Sequence, residues 1–327
     1  MKRLALLERG SVTALLALHL AVFFAGFWAP YDPAEQNRFA ALHPPARVRF
    51  FDSRGNFHFR PFLYDADGSP RRIEFFVPGS PYRLAGLWTV HVHFFGVAEP
   101  GRIFLLGTDE FGRDQLSRAL WGGRISLLTG WMAALISLTI GLVLGATAGF
   151  FGNWCDSALM RGSELFLALP WLYLLLAVRA FLPLSTNANV MAVILAVIIG
   201  CVGWARPARL VRGIVLSVKE REYVSAARGF GASPLYLLRR HCLPETYGVL
   251  LTQAALLIPQ YMLAEVALSF VGLGVPEPAA SWGTLLAPLR HVSILSTSWW
   301  MLLPALFILL TSWCFLSLED ILAENRR

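Results

Sequence analysis

Four runs of this sequence, 11–29, 125–155, 188–205 and 292–318, contain no Asp, Glu, Lys or Arg. A helix needs about 20 apolar residues to cross the hydrocarbon core of a bilayer, so runs of this length leave few soluble folds open. Two further stretches are apolar with few charges. One begins at Asp156, Arg161 and Glu164 and runs to Val178, with Pro170 inside it. The other, 246–271, is interrupted by Pro259 and Glu265, and Pro304 lies inside 292–318. Only 15% of the residues are charged and the mean hydropathy is +0.56, against about 25% charged in soluble domains. A disordered chain is excluded, and a soluble enzyme is disfavoured.

The charges are unevenly placed. The net charge is +7, but Arg206–Arg240 holds eight basic residues against two acidic ones, whereas Tyr31–Arg118 is nearly balanced at eleven against ten. Cytoplasmic segments of membrane proteins carry such excesses, so the basic stripe reads as topological rather than as a nucleic-acid surface. Lys2, Arg3 and Arg9 precede the first run. A cleaved signal peptide is the alternative there, but Pro30-Tyr31-Asp32-Pro33 follows in place of a small-x-small cleavage site. The first run is therefore expected to be a retained helix with Trp28 near the outer interface. Six spans that start inside also end inside. This places 31–123, 179–187 and 272–291 outside, 206–245 inside, and both termini in the cytoplasm. Gly130, Gly141, Gly145, Ala146, Ala148 and Gly149 in the second span allow close helix approach.

The one polar segment, 31–118, alternates Val48/Phe50 and Phe57/Phe59 around Asp52-Ser53-Arg54-Gly55-Asn56, and Asp67-Gly68 separates a second aromatic-rich pair. These are expectations of short β-hairpins. No GxxxxGK[ST] loop is present and the only lysines are Lys2 and Lys219, so the usual P-loop arrangement for ATP hydrolysis is excluded. No GxSxG, HExxH or paired-Cys motif occurs. His91 and His93 would share a strand face, but no third metal ligand accompanies them. Cys155, Cys201, Cys242 and Cys314 are scattered and read as packing residues. No catalytic residue, metal site or cofactor is expected.

Three segments carry more information. The inner loop runs Glu220-Arg221-Glu222-Tyr223-Val224-Ser225-Ala226-Ala227-Arg228-Gly229-Phe230-Gly231-Ala232-Ser233-Pro234, and later His241-Cys242-Leu243-Pro244. It reads as a short helix ended by Gly231 and a second begun at Ser233-Pro234. Ala226 and Ala227 offer a smooth surface to another protein. This loop resembles the EAA motif of bacterial ABC-importer permeases: Ala226, Ala227, Gly231, Leu243 and Pro244 match in spacing, with Ser225 and His241 as departures shared with the peptide/nickel branch. Gly107-Thr108-Asp109, Gly112-Arg113-Asp114 and the following Ser117-Arg118 and Gly122-Gly123-Arg124 resemble that branch's LGTDxxGRD signature. Glu265 to Pro276 with Ser281-Trp282-Gly283 resembles its ExxLSFLGLGxP…SWG signature.

The resemblance, which covers about 105–290, is to the C-type permease of oligopeptide/dipeptide/nickel ABC importers. It implies an all-α, six-helix type I importer permease with a small β-containing extracytoplasmic insert between the first two helices. The expected divisions are 1–30 (tail and first helix), 31–120 (insert) and 121–320 (permease domain, with coupling loop 206–245). The implied partners are a second permease subunit in a heterodimer, two cytoplasmic ABC ATPases, an extracytoplasmic solute-binding protein and membrane lipid, in a bacterial inner membrane. Glu222, Tyr223, Ala226, Ala227, Gly231, His241 and Pro244 would form the ATPase-coupling loop. Glu265 would tie the fifth span to a neighbour or contact the solute. A secondary transporter or channel is the alternative, but it would require intramembrane acids beyond Glu265.

Overall fold

The computed structural model describes residues 2–51, 55–64, 70–84, 87–98, 101–181 and 187–324. In chain order the elements are α1 (Lys2–Phe23), α2 (Ala25–Trp28), β1 (Arg49–Phe51), β2 (Phe57–Tyr64), β3 (Pro70–Leu84), β4 (Trp88–Val97), α3 (Gln115–Phe151), α4 (Asn153–Ala168), α5 (Trp171–Ala180), α6 (Ala188–Gly203), α7 (Ala205–Lys219), α8 (Glu222–Gly229), α9 (Pro234–Leu237), α10 (Leu243–Phe270), α11 (Trp282–Leu286), α12 (Val292–Thr297) and α13 (Leu303–Glu324). They fall into two compact units. The helical unit is Met1–Val12, Leu127–Leu268 and Thr311–Arg327; the sheet unit is Thr13–Ser126 and Ser269–Leu310.

In the sheet unit the four strands form an antiparallel meander in the order β1-β2-β3-β4. The β3–β4 register pairs Ile73 with Val97 and Phe75 with Phe95, and Leu63, Ile73, Phe95 and Ile103 close into one buried cluster. The turns expected at Asp52-Ser53-Arg54 and Asp67-Gly68 lie outside the described residues. On β4, Nδ1 of His93 lies 2.6 Å from the Ala29 carbonyl and Nε2 3.0 Å from that of Ser80. Both ring nitrogens are thus engaged by backbone, and among the described residues no group of three His, Cys, Asp or Glu stands ready for a metal.

The helical unit is built on close backbone approach. Gly141, Gly145 and Gly149 recur every fourth residue on α3 and lie on α7. A Cβ at Gly141 would stand 2.5 Å from Pro207 Cβ, one at Gly145 would overlap the Ala208 carbonyl, and one at Gly149 would stand 2.8 Å from the Arg212 carbonyl. Lipid tails are as apolar as leucine, so helices in a membrane associate by packing, and glycine lets the two backbones touch. Polar ties reinforce the contact. Arg212 donates from Nε and Nη2 to Asp156 at 2.5 and 2.6 Å. Lys219 Nζ lies 3.4 Å from the carbonyls of Gly149 and Phe150, where the last turn of α3 leaves acceptors open.

Three helical segments, Gln115–Phe151, Pro234–Phe270 and Trp299–Glu324, are long and apolar enough to cross a membrane. Two bent pairs, α4–α5 and α6–α7, bring the total to five if each is one span, and Gly10–Phe23 is a shorter apolar helix. The sequence reading differs in detail. Pro170 does more than kink its helix: the chain turns by 89° between α4 and α5. The fourth apolar run does not end at Arg206 in a loop, because the helix bends by 46° and continues as α7, carrying Arg206, Arg209 and Arg212. Arg206, Arg209 and Arg212 are therefore helical, with Pro207, Ala208, Val211 and Val215 as the buried face between them.

Gly145→Ile is expected to overpack the α3–α7 contact, costing about 1–3 kcal/mol and lowering the thermal unfolding midpoint of the purified protein. Gly213→Ala on α7 is the control, since a Cβ there meets nothing within 4 Å and should leave the midpoint unchanged.

Candidate functional site

The segment Gly107–Asp114 is a tight loop in which each signature residue has a physical task. Gly107 and Gly112 have φ of +73° and +70°, a region that L side chains resist. A Cβ at Gly112 would also overlap the Asn37 carbonyl. Thr108 Oγ1 donates to the Ala40 carbonyl and accepts from His43 N at 2.7 Å, and the Thr108 carbonyl accepts from Trp300 Nε1 at 3.0 Å. Asp109 folds the turn: its Oδ1 accepts from the backbone N–H of Phe111 and Arg113, both at 2.9 Å. Asp114 is the N-cap of α3, its Oδ2 accepting from Ser117 N at 2.8 Å and Ser117 Oγ at 2.7 Å, the expected placement for an aspartate at a helix start.

The loop and the first turn of α3 project one arginine each, Arg113 and Arg118, onto one acid from far along the chain. Arg113 donates from Nε to Asp109 Oδ2 at 2.6 Å and from Nη1 to Glu277 Oε2 at 2.6 Å. Arg118 donates from Nη2 to Glu277 Oε1 at 3.1 Å and from Nη1 to the carbonyls of Pro33 and Pro278, each at 3.2 Å. Beside this clamp, Trp282 donates from its backbone N to Ser126 Oγ at 3.1 Å and from Nε1 to the Ala119 carbonyl at 2.9 Å, while Ser281 and Thr284 form a capping box that opens α11. Gly122 faces the Ser281 backbone, which a Cβ would approach to 3.1 Å. Two of the three signature segments thus form one packed assembly. Glu277 was not singled out in the sequence; its only signal was an acid just beyond Gly274-Val275-Pro276, with two arginines in the other signature left to balance.

Burial works against the Arg113 guanidinium, but the hydrogen bond to Glu277 and the charge of Asp109 outweigh it and hold the group firmly cationic. Burial pushes the Asp114 carboxyl up to about 6, against the hydrogen bonds from Ser117 that pull it down. The Tyr31 phenol, whose oxygen accepts from Ile103 N at 2.7 Å, is pushed up to about 12 by burial.

The segment 220–244, expected from the sequence to couple to an ATPase, lies in the helical unit. Arg221, in extended conformation, precedes α8. The helix ends in a Schellman pair: Ala232 N donates to the Ala227 carbonyl at 3.1 Å and Gly231 N to that of Arg228 at 3.0 Å, with Gly231 at φ +85°. Ser233 then caps α9 by accepting from Tyr236 N. Val224 is buried among Val215, Val218, Leu237, Leu238 and Cys242, with Ala227 packed against that cluster. Ala226, Glu222, Tyr223 and Phe230 face outward. The two alanines therefore part company, one outward and one inward. His241, in the π-helical turn Leu238–Cys242, lies 5.7 Å from the Tyr223 ring and 5.8 Å from that of Tyr236. Pro244 has no N–H to return to residue 240 and would crowd its carbonyl; the widened turn just before it makes room, with Leu243 N bonding to the Leu238 carbonyl instead. Glu265, on α10, is fully buried and not without a partner.

A pH prediction follows for Asp114. Its folded value lies above its ordinary one, so the folded state binds the extra proton between about pH 4 and 6, and the associated stability is lost as pH rises through about 6. Asp114→Asn keeps the cap and removes the titration. The unfolding midpoint of the variant relative to wild type should rise between about pH 5 and about pH 7.5; a difference independent of pH would contradict the assignment.

Residues 141–327 match the family described as binding-protein-dependent transport system inner membrane component. The dipeptide transport system permease protein DppC of Bacillus subtilis is 43% identical over 215 residues, which span 65% of this chain and 65% of that relative's length. The di/tripeptide transport system permease protein DppC of Pseudomonas aeruginosa is 35% identical over 308 residues, 93% of this chain and 83% of that one. A solved structure, the inward-facing methionine ABC transporter MetNI, is similar with a TM-score of 0.44 at 19% identity, over 63% of this chain and 94% of that chain. With the match running over more than half of its length, the chain belongs to the family of binding-protein-dependent transport system inner membrane components.

Proposed function

We propose that this chain is a permease subunit of an ATP-driven ABC importer of the type I fold, forming with a second, different permease the path for peptides handed over by an extracytoplasmic solute-binding protein. Two cytoplasmic ATPases supply the energy, since this chain has no phosphate loop of its own. The observation that carries the reading is the form of α8 together with the family match. A short helix with a glycine-locked end presents Glu222, Tyr223 and Ala226 outward, while Val224 and Ala227 anchor it to the cluster shared with α7 and the start of α10. Displacing α8 therefore displaces packed spans as a rigid body, which is how a two-state gate is driven.

In this reading α1 and the two bent pairs complete six spans, both termini are cytoplasmic and the strands lie outside. Glu265 acts as an architectural residue in the fifth span. Cysteines placed in 55–64 or 70–84 should react with an impermeant thiol reagent from outside intact cells and cysteines at 222–229 should not; the reverse pattern would reject this orientation.

The functional test is reconstitution with the two ATPases, the second permease and loaded binding protein. ATP-dependent peptide uptake is expected. Gly231→Val should leave the complex assembled but abolish stimulated ATP hydrolysis, because a left-handed conformation costs an L residue about 1–2 kcal/mol and the helix end rebuilds. Ala226→Trp should do the same by blocking the docking face. Uptake driven by an ion gradient without ATP, or full stimulation in both variants, would overturn the proposal.

A further inference from the structure

Two bent helix pairs of the helical unit and the turn of α10 that holds Pro259 line one cavity of about 280 Å³. α4 and α5 part at Leu169-Pro170, α6 and α7 bend at Trp204, and α10 carries Pro259 directly before Gln260. Phe166, Trp171, Arg206, Gln260 and Tyr261 are among the residues that line the cavity. Tyr261 is fixed in place, its hydroxyl 2.9 Å from Ser137 Oγ and 3.3 Å from the Gly203 carbonyl. In lipid, interrupted backbone is tolerated where it is buried in protein or lines a wet cavity, and the two helix breaks in this lining mark it as such a place.

Arg206 is the charge in that lining. It stands near the middle of the bent α6–α7 pair, is exposed, and makes no ion pair among the described residues. A guanidinium facing a cavity lined mostly by apolar side chains is costly unless it meets water or an anion. The guanidinium is planar and always charged, and it grips a carboxylate through two parallel N–H groups. Trp171 and Phe166 add apolar surface for side chains, and Gln260 adds an amide for a peptide group. A bare divalent metal cation would be repelled by the same site.

We infer that this cavity is a solute subsite in which Arg206 holds the carboxylate of a short peptide in transit. The inference rests on the peptide-importer reading above and narrows its cargo to carboxylate-bearing solutes rather than metal cations.

The test uses the complete importer in proteoliposomes with dialanine and dialanine amide as probes. In Arg206→Gln, dialanine uptake should fall about tenfold with amide uptake unchanged, and Arg206→Lys, which keeps the charge but not the two-pronged grip, should recover only part of it. Equal loss of both probes, or undiminished dialanine uptake, would overturn the subsite. An independent measurement needs no transport. With the four native cysteines replaced by serine, a Gln260→Cys thiol should be protected from a small reagent by millimolar dialanine, and the protection should vanish on adding Arg206→Gln. Absence of protection in the Arg206 protein would overturn the subsite as well. A wild-type complex that imports neither probe would overturn the peptide-importer reading alone, with the labelling result still deciding the site.

Discussion

Glu277 sits between the guanidinium groups of Arg113 and Arg118, and Asp109 completes a cluster of two positive and two negative charges. Arg113 and Arg118 are almost fully buried, whereas the Glu277 side chain is half exposed. Removing Glu277 would leave Asp109 alone against two nearly buried cations, an unbalanced positive charge with little water to screen it. The start of α3, the turn at Asp109, the backbone at Pro33 and the loop before α11 all meet in this cluster. The order of the sheet unit depends on charges that lie some 160 residues apart in the chain.

The helical unit solves a different problem. Burial in lipid supplies no hydrophobic drive between helices, so α3 and α7 gain cohesion from backbone contact at Gly141, Gly145 and Gly149, with the Asp156–Arg212 pair as a polar tie. Such a contact is stiff: glycine ridges leave no side chains to repack. That stiffness is what a short outward-facing helix needs if its displacement is to move spans rather than be absorbed. The π-helical turn ahead of Pro244 and the ring contacts of His241 with Tyr223 and Tyr236 bind α8 and α9 to the base of α10 in the same way.

Much of the local structure was legible because its causes are local. Gly231 stops α8 and Ser233-Pro234 starts α9 through chemistry contained within four or five residues. The uncharged runs 125–155 and 292–318 likewise fall largely in helices long and apolar enough to cross a membrane. Other features depend on distant parts of the chain. Nothing near Glu277 says that it faces Arg113. The run 188–205 ends at a charge, which reads as a membrane boundary, yet the helix continues through Lys219 because Pro207, Ala208, Val211 and Val215 pack while the arginines between them turn elsewhere. Ala226 and Ala227 are alike in sequence, and only the position of the Val218–Leu237 cluster makes one outward and the other inward.

The most direct test of the clamp is a double-mutant cycle on Arg113 and Glu277, read as the unfolding free energies of the purified protein with Arg113→Ala, Glu277→Ala and both. Groups in one ion-pair network couple by about 0.5–3 kcal/mol. With two buried arginines sharing Asp109 and Glu277, a favourable Arg113–Glu277 coupling above about 1 kcal/mol is predicted, so that the double variant is less damaged than the sum of the singles. Additive single effects would show that the two segments are held together by something other than this charge cluster.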